Sequence, residues 1–269
     1  MTVGVEVTDR DLAMFGSLAD AQYLTVPAIE WLHYTGWRTR TGEDGGRVPA
    51  ASWLYDRLRR LTRAGYLQRL QRPGRAEIAY GLTARGAERL HVTTGRPEAT
   101  IRYVAMPPES DEALQQRLDV GRVYAAVRSR LEETTPTGLQ GWQLAPRLRE
   151  ESDTSTPDAV FSLEHPKGAI QYYLEVDRAR RIGVWEEKLR MYRRAAEGAG
   201  AARRFVVLCV SSSTLAPRLL DTCAPLLGPL LGRTLFTDLD HVHPWRIGQQ
   251  WRRVVQLDPL TTAPQVVFR

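Results

Sequence analysis

The sequence has almost no cysteine and almost no lysine. Only Cys209 and Cys223 occur in 269 residues. Two thiols cannot build a disulfide scaffold, a zinc ribbon or a paired-cysteine redox motif, and the expectation is a reduced, cytoplasmic protein. Long apolar runs are also missing. No stretch reaches the ~18 residues of a membrane-spanning helix, so no membrane partner is expected. The first residues hold Glu6 and Asp9 and no apolar core, so they do not read as a signal peptide. Lysine stands only at Lys167 and Lys188; the other 35 basic residues are arginine. Arginine suits planar, two-pronged contacts to phosphate and guanine. The apolar content, 43%, is enough for a core without metal or disulfide staples. Net charge is +6, and its distribution matters more than its size.

The chain divides by composition. Gly95, Pro97, Pro107 and Pro108 mark an extended connection, which predicts a first domain over 1–91, a linker over 92–111 with a short strand at 101–105, and a second domain over 112–269. In the first, helices are expected over 9–19, 25–34, 49–64 and 83–90. Leu54, Leu58 and Leu61 share one side of the third, and Gly65 closes it. Strands are expected over 66–70 and 77–82, joined by a turn around Pro73-Gly74. Three helices followed by a two-stranded hairpin is the order of a winged helix-turn-helix.

The charge map agrees with that order. From Arg38 to Arg75 stand ten arginines against Glu43, Asp44 and Asp56. On the third helix Ser52, Asp56, Arg59 and Arg63 lie opposite the leucines, with Arg57 and Arg60 beside them, and the hairpin tip carries Arg72 and Arg75. A basic helix face with a basic hairpin tip suits a groove of double-stranded DNA and its flanking phosphates. The plainer reading is a solvated arginine-rich helix.

In the second domain helices are expected over 112–132, 185–196 and, broken by Pro217, Pro225 and Pro229, 215–231. Strands are expected over 141–144, 157–161, 170–177, 205–210 and 234–237, giving an α/β domain with a mixed sheet, with one or two edge strands in the tail 245–269. Along 170–177 the alternation puts Tyr173, Glu175 and Asp177 on one face. Asp158 opens the preceding strand and comes close. Three gathered carboxylates repel one another unless a cation sits among them, and oxygen ligands of this type suit Mg2+ or Mn2+. A salt-bridge network with Arg178, Arg180 or Arg181 is the alternative. Those three, with Arg190, Arg193 and Arg194 against Glu186 and Glu187, form a second basic cluster where DNA could land. No small-molecule cofactor is evident.

Pro-Asp, a hairpin and then Glu-x-Lys followed by a helix resemble the PD-(D/E)xK nucleases. The resemblance implies a restriction-endonuclease-like domain with Asp158, Glu175 and Asp177 as metal and catalytic residues. Here Asp177 holds the lysine position, and Lys188 on the next helix is the substitute. The segments L-Y-D-R-L-R-R-L-T-R-A-G-Y-L (54–67), Y-G-L-T-A-R-G-A (80–87), L-D-V-G-R-V-Y (118–124), P-D-A-V-F (157–161), L-E-V-D-R (174–178) and E-K-L-R-M-Y (187–192) in that order resemble the replication-relaxation family. That resemblance implies DNA binding connected with replication or relaxation of plasmids and mobile elements.

Two functions stay open. One is a duplex-DNA-binding accessory or regulator whose nuclease-like domain is inactive, acting as a homodimer. The other is a Mg2+- or Mn2+-dependent endonuclease or nickase. Lesser candidates are Asp238, Asp240, His241 and His243, as a metal cluster or a hydrogen-bonded loop, and Ser211 to Thr214, as a phosphate site or an ordinary helix cap. Trp53, Trp142 and Trp185 are expected in the core. His33, His91 and His165 carry no argument.

Overall fold

The computed structural model describes residues 5–34, 52–71, 77–96, 108, 110–134, 139–144, 156–163, 169–177, 182–198, 205–212, 214–215, 223–226, 230, 233–243 and 252–253. It is a mixed α/β chain with two sheets. Contacts divide it into two units, Met1–Ser129 and Arg130–Arg269.

In the first unit, α1 (Asp9–Ala21) begins where Thr8 can cap it. The Thr8 hydroxyl accepts from the Asp11 N–H (3.3 Å), and the Asp11 carboxylate accepts from the Thr8 N–H (2.8 Å). Each thus satisfies an end group that the helix itself leaves unpaired. Met14, Phe15 and Leu18 are buried. Thr25 caps α2 (Val26–His33) in the same way, accepting from the Ala28 N–H. In α3 (Ser52–Arg63) the leucine stripe, Leu54, Leu58 and Leu61, is fully buried. Gly65 follows with φ +78°, a left-handed turn that favours glycine.

Next come β2 (Leu67–Gln71) and β3 (Ile78–Leu82), paired antiparallel. A strand not foreseen from the sequence, β1 (Tyr23–Thr25), pairs antiparallel with the other side of β3, giving the order β1-β3-β2. Thr83 caps α4 (Ala84–Thr94), accepting from the Gly86 N–H (3.1 Å).

The long helix expected over 112–132 is α5 (Asp111–Thr134). Through Ser129 it groups by contacts with the first unit. The reason is packing. Leu114 and Leu118 bury against Tyr23 and Ala79. The Tyr124 hydroxyl donates to Asp20 Oδ2 (3.1 Å), and the Ser129 hydroxyl donates to the Trp31 carbonyl (3.0 Å). The strand expected over 101–105 lies outside the described residues.

One half-buried histidine in this unit makes stability depend on pH. His33 Nε2 lies 3.1 Å from Ser17 Oγ. Burial, with Arg128 and Arg10 adding repulsion, pushes its pKa down to about 4. The unfolded chain therefore binds a proton that the folded chain refuses. The contribution is complete above pH ~6.5 and is lost as the pH falls through about 4. The expected loss is up to about 3 kcal/mol. Urea unfolding at a series of pH values should show this slope, and His33→Gln should flatten it. An unchanged slope in the variant would assign the effect to other groups.

The second unit is built on a mixed sheet in the order β4-β5-β6-β7-β8-β9. Its strands are β4 (Leu139–Leu144), β5 (Ala159–Leu163), β6 (Ile170–Asp177), β7 (Phe205–Ser211), β8 (Thr234–Asp238) and β9 (Arg252–Arg253). The pairs β6/β7 and β7/β8 are parallel and the others antiparallel. Val207, Leu208, Cys209 and Val210 are all buried, as a continuous apolar central strand requires. Helix α6 (Ile182–Gly198) lies between β6 and β7 in sequence. It buries Trp185, Leu189 and Tyr192 against Val207, Cys209 and Phe236. Cys209 and Cys223 are buried and unbridged.

Of the helix expected over 215–231, Cys223 is helical and leads into a 3-10 turn, while 216–222, 227–229 and 231 lie outside the described residues. Leu215 lies in a turn, and Ala224–Leu226 is a single 3-10 turn. Each proline in that stretch removes a helical N–H donor. No helix among the described residues is long and apolar enough to cross a membrane.

Candidate functional site

Two places bring the predicted residues together, one in each unit. The first is the outward side of α3. With the leucines turned inward, helical spacing puts Ser52, Asp56, Arg59 and Arg63 opposite them, and all four are exposed. Arg60 is exposed on one flank. Arg59 Nη2 donates to Asp56 Oδ1 (2.7 Å) in solvent.

Arg57 does something else. It faces back toward α1, where its Nε donates to Asp11 Oδ1 (3.0 Å) and Nη2 to Asp11 Oδ2 and the Glu6 carbonyl (2.7 Å). Burial pushes the Asp11 carboxyl up, but Arg57 and Thr8 more than reverse this and hold it below its ordinary range. Arg57 thus anchors α3 to α1 and does not share the outward face. Trp53 also differs from expectation: it is 49% exposed and set edge-on to Tyr34, ring centres 4.6 Å apart. Position 53 is a hundred degrees of helix from Leu54 and misses the buried stripe. Trp142 and Trp185 are buried as expected. Trp53, Tyr34 and Arg60 line a cleft of about 650 Å3 beside α3. Arg72 and Arg75 lie outside the described residues.

The second place is the end of β6. Glu175 is 1% exposed. One of its oxygens accepts from the Lys188 ammonium and the other from the Tyr192 hydroxyl (2.7 Å). Asp158 Oδ2 accepts from the Val176 N–H (2.8 Å), and Asp177 accepts from Trp185 Nε1. Burial pushes the Glu175 pKa up to about 7, with Lys188 offsetting part of the rise and Asp158 adding to it. Burial pushes Lys188 down, but Glu175, Asp158 and Asp177 together hold it above its ordinary range, so it stays an ammonium. Burial and Glu175 both raise the Tyr192 hydroxyl, so it stays a donor.

This arrangement does not fit a divalent cation. The two oxygens that Glu175 would offer face an ammonium and a hydroxyl, and the two flanking aspartates accept from a backbone N–H and an indole. Among the described residues no three His, Cys, Asp or Glu side chains are grouped so as to hold a metal ion. Lys188 does reach Glu175, as its place on the helix led one to expect, but as a counter-ion. Tyr192 was not among the expected site residues; its signal was available, since residue 192 is one helical turn beyond Lys188.

The remaining candidates resolve locally. Asp238 caps the 3-10 turn Leu239–His241, accepting from the Asp240 and His241 N–H groups, and lies 2.7 Å from His241 Nδ1. The Ser211 hydroxyl donates to the Asp177 carbonyl (3.0 Å). Of the second basic cluster, Arg178, Arg180 and Arg181 lie outside the described residues. Arg190 pairs with Glu186 (3.4 Å) and Arg193 with Glu197 (2.9 Å) along α6. Arg194 is exposed.

A model of the replication-relaxation family matches residues 15–208. The chain belongs to the replication-relaxation family. No curated protein and no solved structure gives a match. The replication-relaxation match runs from Phe15 in α1 to Leu208 in β7. It spans both places described above, the α3 face and the Glu175–Lys188–Tyr192 group. The Asp238–His241 cap lies beyond it.

Proposed function

We propose that this replication-relaxation protein is a duplex-DNA-binding accessory or regulator of a plasmid or mobile element. In this reading the first unit is a winged helix, with α3 entering the major groove and the β2–β3 hairpin beside the phosphates. The observation that carries it is the α3 face: Ser52, Arg59 and Arg63, with Arg60 on the flank, point outward from a fully buried leucine stripe. Element order and basic charge supply what groove binding needs. The second unit is a nuclease-like fold kept as a scaffold or dimerisation unit, and the protein acts as a homodimer on paired half-sites in the cytoplasm. Sedimentation of the free protein and of its DNA complex tests the dimer.

The test of DNA binding is fluorescence anisotropy with labelled duplex over a range of salt. Arg59→Ala/Arg63→Ala should bind roughly tenfold or more weakly, and the slope of log affinity against log salt should shrink by about 2. Affinity and slope equal to wild type would overturn the reading.

The second reading, a metal-dependent endonuclease or nickase, draws on one observation: Lys188 meets Glu175 at the sheet end that also carries Asp158 and Asp177. Calorimetric titration with Mn2+ separates the two. The expected result is no stoichiometric binding by wild type. Binding that disappears in Glu175→Ala would favour the nuclease, and supercoiled plasmid would be the next substrate.

A further inference from the structure

Asp56 is an anomaly on the α3 face. Its side chain is 54% exposed, and its partner among the described residues, Arg59, is 60% exposed. Exposed pairs of this type contribute little to folding. It is the fifth residue of the helix, past the first turn, so it does not satisfy the helix's unpaired N–H groups. It is not buried, and the anchoring of α3 to α1 is done by Arg57 and Asp11. Yet it stands at the middle of the outward side, with Ser52 one turn before it and Arg59, Arg60 and Arg63 after it. A carboxylate there repels phosphate. On a face whose only task was to hold the DNA backbone, it would weaken that hold.

A carboxylate has one suitable partner in the major groove, the exposed amino group of cytosine. Guanine offers only acceptors there, and the adenine amino group lies next to the N7 acceptor, which a carboxylate faces badly. Arg59, one turn on and already bonded to Asp56, has the complementary preference for guanine O6 and N7. Resting on the reading of α3 as the groove helix, we propose that Asp56 is a specificity-determining residue. It accepts from a cytosine amino group and penalises every other base at that position, with Arg59 placed for guanine nearby.

The experiment is selection from a duplex library with a randomised centre, using wild-type protein, Asp56→Ala and Asp56→Asn, followed by sequencing of the retained pool. Both variants alter an exposed side chain, and circular dichroism checks their fold. Wild type should enrich a motif with cytosine at one position, preferred by roughly 5- to 100-fold. Asp56→Ala should lose the preference at that position, keep the others, and retain unselected duplex better than wild type. Asp56→Asn should turn the same position toward adenine, whose N6 and N7 match an amide. Motifs identical for all three proteins would overturn the proposal and leave DNA binding standing. So would a wild type that holds duplex without base preference. A wild type that retains no duplex at all would sink the groove-helix reading, and Asp56 with it.

Discussion

Replacing Lys188 with methionine should destabilise the protein by about 3–5 kcal/mol, the cost typical of leaving one buried charge without its partner. Glu175 is 1% exposed and meets the ammonium directly. Without Lys188 the carboxylate keeps, among the described residues, only the Tyr192 hydroxyl. It would then escape burial as an anion by taking up a proton, and burial has already raised its pKa to about 7. The sign follows. A carboxyl whose folded pKa is raised favours the folded state most below its unfolded pKa, near 4.5, and loses that advantage as the pH rises through about 7. Losing Lys188 raises the folded pKa further, so the variant should be hurt more at alkaline than at mildly acidic pH. The double variant Lys188→Met/Glu175→Gln has no buried charge at this point and should recover most of the loss. Urea unfolding of the three proteins at two pH values decides it. A single variant within about 0.5 kcal/mol of wild type at alkaline pH would mean the pair is not held as described. The same series bears on function. If the second unit is a scaffold, the double variant should bind duplex DNA as wild type does. If Lys188 and Glu175 are catalytic, restored stability should not restore cleavage.

What the sequence made legible was periodic or local. The 54, 58, 61 leucine spacing located α3 and its outward arginines, and the apolar run at 205–210 located the central strand. Alternation along 170–177 put Glu175 and Asp177 on one face, and helical spacing brought Lys188 within reach. What stayed hidden was set by contacts distant in the chain. Arg57 reads as one more basic residue until Asp11, 46 positions earlier, takes its guanidinium. β1 has three residues, too few for a period, and exists because β3 has a free edge to pair with. Glu175, Lys188 and Asp158 were gathered correctly, but whether an ammonium or a metal ion neutralises them depends on burial and on Tyr192, which no spacing reports. His33 could not be told from a surface histidine, because its environment is built from α1 and α5.

Gly121→Ala should also cost stability, by about 3 kcal/mol or more, although helix propensity alone predicts a gain of about 1 kcal/mol. The residue lies inside α5, where alanine is normally the better choice. A Cβ there would stand 2.3 Å from the Tyr23 carbonyl oxygen, a backbone atom held in the β1–β3 pairing opposite Gly81. Side chains turn aside; a carbonyl fixed in a sheet cannot. The helix would have to lift, uncovering Leu114 and Leu118 from Tyr23 and Ala79. Gly86 meets the same condition, with the Tyr66 carbonyl 2.2 Å from its missing Cβ. Gly121 lies in the segment L-D-V-G-R-V-Y, and Gly86 lies with Gly81 in Y-G-L-T-A-R-G-A, so close packing against these glycines accounts for part of both segments. Gly16→Ala is the control, since its Cβ would meet only the flexible end of Arg96 at 3.7 Å. Thermal unfolding should rank the variants with Gly16→Ala at or above wild type and Gly121→Ala far below it. Equal stability of the two would show that α5 does not dock on β1 this closely. Because β1 pairs with the hairpin strand β3, the same shift would reach the hairpin, and duplex affinity should fall in Gly121→Ala while every arginine of α3 remains in place.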